Sequence, residues 1–271
     1  MVEKVHSTWA RFGAEVRRSR RIAGGSQDQL AKSINISPAM MSSLERGTRT
    51  PKREHAEAID AVLNTGGSLS RLWVNLMNQE DVPEWFREVV VLERQATEIR
   101  EYQMALVPGL VQTADYARAV LRSGRPWYRD AEVDRLVESR MNRSDILAKD
   151  DRPLFWTVLD EVVVRRVVGD DQAMRGQLAH LLKLIGDQQI QLQLVPHETR
   201  CHPGLSGPFR VMAFHGRPTV AYAEHAMGGE LIDDEDQVRE STTIFGALQA
   251  EAMSPTASAD LIRVILGELD A

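Results

Sequence analysis

The chain has 271 residues, which is enough for one large domain or two of moderate size. Its hydrophobic content of 43% is ordinary for a globular protein, and no apolar run approaches the roughly 18 residues that a membrane helix needs. The first residues, MVEKVHSTWARFG, lack the apolar stretch of a signal peptide, and the single cysteine excludes an internal disulfide framework. We therefore expect a cytoplasmic protein.

The net charge of −6 hides an asymmetry along the chain. Residues 1–80 contain 12 Lys and Arg against 8 Asp and Glu, a net +4, and residues 81–271 contain 21 against 31, a net −10. A basic head on an acidic body favours a head that meets a polyanion such as nucleic acid. Ordinary scatter of surface charge is the alternative.

Five consecutive helices are predicted in the first 80 residues, because apolar residues recur there at helical spacing between capping and glycine signals. In the first helix Trp9, Phe12, Val16 and Ile22 form the apolar stripe, and Gly24 and Gly25 end it. The five predicted segments are TWARFGAEVRRSRRIAG, QDQLAKSI, PAMMSSLER, KREHAEAIDAVLN and SLSRLWVNLMN.

The second and third helices are short and are separated by a turn at Asn35-Ile36. Ser26 occupies the N-cap position of the first of them. Ser37-Pro38 is an N-cap followed by proline at the first helical position, where a missing N–H costs nothing. Met41 and Leu44 are three residues apart, so both are expected to be buried against the preceding helix.

This region resembles the helix-turn-helix of phage-repressor-like (Cro/Xre-type) DNA-binding domains. The matching residues are Gln27-x-x-Leu30-Ala31, Ser37, Met41, Leu44 and Glu45-Arg46-Gly47-x-x-x-Pro51. Several constraints hold together at fixed spacing, whereas two ordinary helices of a bundle would not require them. The resemblance implies a lambda-repressor-like five-helix head that binds double-stranded DNA, usually as a twofold homodimer on half-sites about 34 Å apart.

The predicted DNA contacts follow from the faces of these two helices. Amides at the helix N-termini are expected to hold phosphates, the stripe of the third helix opposite its buried side is expected to enter the major groove, and the arginines and lysine after it are expected to clamp the backbone. The predicted residues are Gln27, Ser37, Pro38, Ala39, Met40, Ser42, Ser43, Arg46, Arg49, Lys52 and Arg53.

The predicted reading stripe is poor in side chains that discriminate bases. Arg pairs with guanine and Asn or Gln with adenine, but this stripe offers Ala39, Met40, Ser42 and Ser43. We therefore expect specificity to depend on DNA shape, on the arginines that follow, or on the spacing of a dimer.

After a predicted linker around Gln79 to Trp85, helices and strands alternate. VVVLERQATEIREYQMAL, TADYARAVLRSG with a Thr113 cap, and DAEVDRLVESRMNRSDILAKD favour helices, whereas PLFWTVLD and the alternating IQLQLVP favour strands. FRVMAF and PTVAYAE around HGR predict a hairpin, and two helices close the chain. We expect an α+β protein with an all-α head over residues 1–78 and a mixed α/β domain with a mainly antiparallel sheet over residues 79–271.

The second part resembles the C-terminal domain of unknown function, described as toxin–antitoxin-like, that follows such heads in a large family of actinobacterial regulators. The residues that carry this resemblance include ERQATEIREYQMALVPGLVQTADYARAVL, VLDEVVVRRVVG and LQLVPHETRCHPGLSGPF. The resemblance implies a transcriptional regulator, often encoded beside a small partner protein that it binds. We expect a repressor whose second domain senses a ligand, such as a small-molecule effector, or binds a small cognate protein encoded nearby. An antitoxin that neutralises that partner and autoregulates its own operon is the second hypothesis.

An enzyme is the third hypothesis, and no reaction is expected. Glu93, Glu98, Glu101 and Tyr102 are predicted to share a helix, where charged residues usually form a solvated face, and Asp160-Glu161 more often caps a helix than catalyses. His197, Cys201 and His202 lack further ligands for a metal site, so a plain turn is favoured. The aromatic residues of the second part favour a core over a ligand cavity. No metal or cofactor is expected.

Overall fold

The computed structural model describes residues 7–80, 84–225 and 228–269. By its internal contacts the chain divides into two compact units, residues 1–82 and 83–271. The predicted α+β class is confirmed, with a helical first unit and a mixed α/β second unit. The linker predicted around residues 79–85 falls partly on residues 81–83, which lie outside the described part of the chain.

The first unit contains the five predicted helices. They are α1 (Ser7–Ile22), α2 (Gln27–Ser33), α3 (Pro38–Arg46), α4 (Arg53–Leu63) and α5 (Ser68–Glu80). Each contributes to one apolar core, which includes Trp9, Leu30, Met41, Ile59 and Leu69. Because the short helices α2 and α3 would be marginal alone, this shared core is what holds them in place.

Two side chains, Asp60 on α4 and Trp73 on α5, form hydrogen bonds to the backbone of other segments of the first unit. The buried carboxylate of Asp60 accepts hydrogen bonds from the N–H groups of Leu69 (2.9 Å) and Ser70 (2.7 Å), so it caps the start of α5. The indole Nε1 of Trp73 donates to the carbonyl of Pro51 at 2.7 Å. These bonds anchor the segment that follows α3 to the core.

The second unit is built on one six-stranded sheet in the order β3-β2-β1-β4-β5-β6. The strands are β1 (Glu98–Gln103), β2 (Leu154–Asp160), β3 (Gln191–Val195), β4 (Phe209–Ala213), β5 (Val220–His225) and β6 (Gly228–Ile232). β1, β2 and β3 run parallel, and the other three pairings are antiparallel. The sheet is therefore mainly antiparallel, and the predicted strands at PLFWTVLD and IQLQLVP and the predicted hairpin are present.

The described residues of the second unit also form seven α-helices. They are α6 (Glu84–Glu93), α7 (Ala114–Gly124), α8 (Asp130–Ser144), α9 (Val162–Arg165), α10 (Asp171–Gly186), α11 (Glu235–Glu251) and α12 (Pro255–Glu268). Of these, α6, α9, α11 and α12 contact the sheet. Thr113 caps α7 as predicted, by accepting a hydrogen bond from the N–H of Tyr116. No helix in the described ranges is long and apolar enough to cross a membrane.

The prediction of one helix over residues 89–106 is wrong for the second half of that segment. The helix ends at Glu93, and residues 98–103 form the central strand β1 between β2 and β4. The polar residues of this strand hid the strand pattern. The expectation of a solvated face for Glu93 and Glu101 is also wrong, because both side chains are 1% exposed.

Glu93 and Glu101 belong to a buried ion network with two arginines. Arg143 donates to both oxygens of Glu93 (3.1 and 2.7 Å), and Arg210 donates to Glu93 and, at 2.7 Å, to Glu101. Burial would raise the pKa of Glu93, but the two guanidinium groups outweigh it and hold that pKa below its ordinary value. Burial is the stronger influence on Glu101, whose pKa is raised despite Arg210.

We expect Glu93→Gln to destabilise the protein by roughly 3–5 kcal/mol, because it leaves two buried guanidinium groups without their shared carboxylate. Glu101→Gln should cost less, because Arg210 keeps Glu93. Urea unfolding measured across pH checks this. The lowered pKa of Glu93 means that its contribution is present at neutral pH and is lost as the pH falls through that pKa, so the loss in Glu93→Gln should shrink in acid. An equal cost for the two variants would contradict this reading.

Candidate nucleic-acid interface

Helix α3 has one side fixed in the core and the other turned to solvent. Met41, Leu44 and Glu45 are buried, whereas Ala39 and Arg46 are exposed. Positions 41, 44 and 45 recur at the spacing of one helical face, so the remaining positions face outward. The prediction that Met41 and Leu44 are buried is confirmed.

Two glycines allow α3 to lie very close to α1. A Cβ atom on Gly13 would lie 2.4 Å from the carbonyl oxygen of Leu44, and one on Gly47 would lie 2.5 Å from the Cα of Ala10. Gly47 also has a φ of 67°, the left-handed conformation that ends α3. Any side chain at either position would push α3 away from α1, because backbone atoms cannot yield.

A buried ion pair fixes the third helix from behind. Arg20 on α1 donates from Nε (2.5 Å) and Nη2 (2.9 Å) to the two oxygens of Glu45 on α3. Gln27 at the start of α2 donates its side-chain amide to the same carboxylate at 2.6 Å. One carboxylate thus joins α1, α2 and α3.

The carboxylate of Glu45 is stabilised in its charged form. Burial alone would raise its pKa, but the hydrogen bonds from Arg20 and Gln27 and the nearby charge of Arg17 outweigh it, so the pKa of Glu45 lies below its ordinary value. Arg20 in turn has a raised pKa, chiefly because of its hydrogen bond to Glu45.

None of the eleven predicted contact residues is buried. Four are half-buried and seven are exposed, so all lie at the surface of the first unit. The half-buried residues are Gln27, Met40, Ser42 and Ser43, and the exposed ones are Ser37, Pro38, Ala39, Arg46, Arg49, Lys52 and Arg53.

Arg46 lies back along the outer face of α3. Its guanidinium donates to the hydroxyl oxygens of Ser42 (2.5 Å) and Ser43 (3.4 Å), one turn earlier on the same helix. The cation is thereby placed beside the predicted reading stripe. Lys52 pairs with Glu54 at 3.1 Å and Arg53 with Glu57 at 2.9 Å, all in exposed positions where such pairs are weak.

The helix N-termini are partly occupied by their own caps. The hydroxyl oxygens of Ser26 and Ser37 accept hydrogen bonds from the N–H groups of Gln29 and Met40, both at 3.1 Å. Pro38 has no N–H, so the amide of Ala39 is the first that α3 can offer to a ligand. Gln27 is turned to Glu45, so its side-chain amide already has an acceptor.

Sequence reasoning missed the role of Arg20 and Glu45. Nothing in the sequence distinguishes Arg20 from the neighbouring arginines, and Glu45 enters the predictions only through its place in the motif. A signal was present, because Glu45 shares the helical face of Met41 and Leu44 and so had to be buried. A buried carboxylate requires a cationic or hydrogen-bonding partner.

The fold separates His197 from Cys201 and His202 but places it beside two carboxylates. His197 Nδ1 lies 3.3 Å from both Glu161 and Glu198, and these three residues form a possible metal-binding group. Arg165 and the N–H of His197 already occupy the two oxygens of Glu161. Cys201 is exposed and the His202 side chain is buried beside Asp160, so the sequence trio does not converge.

The aromatic residues considered for a ligand cavity divide into two groups. Tyr102, Tyr116 and Phe155 are buried core residues, and Trp156 is half-buried. Trp127 is 71% exposed. The side chain of Trp85 lies outside the described part of the structure.

We expect Glu45→Gln to lower the stability of the first unit by roughly 3 kcal/mol, because Arg20 then keeps a buried charge without its carboxylate. Thermal unfolding followed by circular dichroism measures the loss. The matched control is Glu54→Gln, which removes an exposed carboxylate in the same unit and should change stability by less than about 1 kcal/mol. Equal effects of the two substitutions would show that the buried pair does not hold α3.

Comparison with known proteins gives two domain matches. A helix-turn-helix domain matches residues 11–73, which include all of α2 and α3, and a domain of unknown function (DUF5753) matches residues 86–264, about two thirds of the chain. Searches of curated proteins and of solved structures gave no match. The first match supports a DNA-binding regulator of the helix-turn-helix type. The chain belongs to the DUF5753 family and carries that domain behind an N-terminal helix-turn-helix domain.

Proposed function

We propose that the protein is a sequence-specific transcriptional regulator that binds double-stranded DNA as a homodimer. The observation that carries the proposal is the two-sided third helix. Its inner side is fixed by Glu45 and by close packing on α1, and its outer side presents Ala39, Ser42 and Arg46. A rigid helix with a small-residue face next to a cation suits insertion into the major groove.

Recognition is proposed to combine Arg46 with the small side chains around it. Ala39 and Met40 can contact a thymine methyl, and the serines hydrogen-bond to several bases without strong preference. The guanidinium of Arg46 lies over Ser42, on the reading stripe, so we assign it a base contact. Arg49 lies beyond the end of α3 and is exposed, so we assign it a phosphate contact together with Lys52 and Arg53.

The acidic second unit is proposed to regulate this binding, either by sensing a small molecule or by holding a cognate protein. Its charge of −10 beyond residue 80 favours a surface that does not itself touch DNA. Repression would then follow from competition for promoter DNA. In the antitoxin alternative the second unit neutralises a small partner and the head autoregulates the operon. Co-purification with the product of a neighbouring small gene would support that alternative.

The proposal predicts different effects for two arginines near the end of α3. Arg46→Ala should relax sequence preference, because the binding free energy should fall by roughly 1–3 kcal/mol on the preferred site and by less on other sequences. Arg49→Ala should weaken binding to all sequences alike. It should also reduce the slope of log affinity against log salt by about 1, since one phosphate contact is lost. Gel-shift titrations on selected and scrambled duplexes at several salt concentrations measure both.

The matched control is Arg71→Ala on α5. This arginine is exposed and donates to the carbonyl of Gly66 at 3.0 Å, and α5 carries none of the proposed contact residues. Its loss should leave affinity and salt slope unchanged. If the wild-type chain shifts no promoter-length duplex even at low salt, the proposed function is refuted.

A further inference from the structure

Among the described residues of the second unit, the most exposed aromatic group stands at the tip of a helical hairpin. Trp127 lies between α7 and α8 and is 71% exposed. The N–H of Tyr128 donates to the carbonyl of Arg125 at 3.0 Å, so Pro126 and Trp127 occupy the centre of a tight turn. An indole in this position gains nothing for the isolated fold, and large aromatic side chains of this kind are the usual anchors of protein interfaces.

The hairpin holds this tip in place. Arg122 on α7 pairs with Asp130 on α8 at 2.7 Å, and Arg118 pairs with Asp134 one turn further back. The Arg125 guanidinium lies 5.5 Å from the centre of the Tyr128 ring, whose edge-to-face partner is Trp127. These contacts favour one arrangement of the tip before any partner arrives, which lowers the entropic cost of binding.

A cleft of about 580 Å³ lies beside the same helix. Its α7 residues lie on one helical face, and the rest come from the turn before α10 and from its first residues. Gly169 lies close to both lining alanines, since a Cβ atom on it would lie 2.9 Å from the Cβ of Ala119 and 3.4 Å from that of Ala173. The lining is Asp115, Arg118, Ala119, Arg122, Ser123, Gly169, Asp170, Gln172 and Ala173.

We propose that the second unit forms the homodimer by reciprocal insertion, with Trp127 of each copy entering the α7–α10 cleft of the other. Trp127 lies three residues beyond the end of α7, and the cleft face of that helix runs from Asp115 to Ser123. The indole and the cleft therefore adjoin on one copy, so a twofold axis between them can bring Trp127 of each copy to the cleft of the other. Both halves of this contact are repeated by the same axis, which is the defining property of an isologous dimer interface.

Charge complementarity supports a second copy as the occupant. Arg125 and Arg129 flank the indole and are exposed, whereas Asp115 and Asp170 present exposed carboxylates at the cleft. The arginines of the cleft itself are already paired with α8, so the incoming cations meet the carboxylate of Asp115 and the second oxygen of Asp170, whose first oxygen caps α10. The proposed contact pairs Arg129 of one copy with Asp115 of the other. In an acidic unit such local pairs offset the repulsion between copies.

This inference rests on the dimer of the proposed function and assigns the surface that makes it. Sedimentation equilibrium of the full chain over the micromolar range tests it. The wild-type chain should be dimeric, and Trp127→Ser should raise the dimer dissociation constant roughly 30-fold or more, the effect of removing a buried anchor. Ala119→Trp, which fills the cleft, should act in the same direction. Leu205→Ser removes another exposed apolar side chain, 58% exposed, and should leave the dimer intact.

Charge reversal supplies a test that simple misfolding cannot imitate. Asp115→Arg and Arg129→Glu should each weaken the dimer, and the double variant should restore it. A monomeric wild type, a Trp127→Ser variant that stays as dimeric as the wild type, or a double variant without rescue would overturn the inference. The proposed function is judged separately, because a monomeric Trp127→Ser variant still carries an intact head and should bind a half-site duplex at low salt if that function is right.

Discussion

The outward face of α3 depends on one carboxylate behind it. Glu45 receives both donors of Arg20 and the amide of Gln27, so three helices meet at a single buried charge. Hydrophobic packing of Met41 and Leu44 drives α3 into the core, but such packing is non-directional. The Arg20–Glu45 ion pair sets the orientation of α3, since a bidentate guanidinium fixes both the distance and the angle between the two side chains. Gly13 and Gly47 complete the constraint by letting the backbones approach.

Locking the back of the helix determines what its front can do. Because α3 cannot rotate without separating Glu45 from Arg20, the positions of Ala39, Ser42 and Ser43 relative to the core are set before DNA binds. A smooth face held in a fixed position suits recognition by fit to the groove, with Arg46 as the one strongly polar reader along it. In the proposed function, specificity comes from the shape of the DNA as much as from individual side chains.

The head was predictable because its signals are local. Ser26 and Ser37 mark helix starts, Gly47 marks an end, and the apolar spacing of Leu30, Ala31 and Met41 marks the core. The second unit was predictable only where its strands are apolar or alternate, as in β2 and β3. Strand β1 was missed because Glu101 points into the protein, and only Arg210, 109 residues later, explains how a buried carboxylate is tolerated there. The Arg20–Glu45 pair was missed for the same reason, because the partner of the buried carboxylate is distant in the sequence, here by 25 residues.

The buried network of Glu93, Glu101, Arg143 and Arg210 also has a kinetic consequence. Its members come from α6, β1, α8 and β4, and the bond from Arg210 to Glu93 spans 117 residues of chain. No piece of the unit shorter than residues 93–210 contains all four groups, so an intermediate that formed only the Glu93–Arg143 pair would leave Glu101 without Arg210. Such long-range closure favours slow, cooperative folding. We expect the whole second unit to order in a single step, with the central strands β1 and β4 forming together.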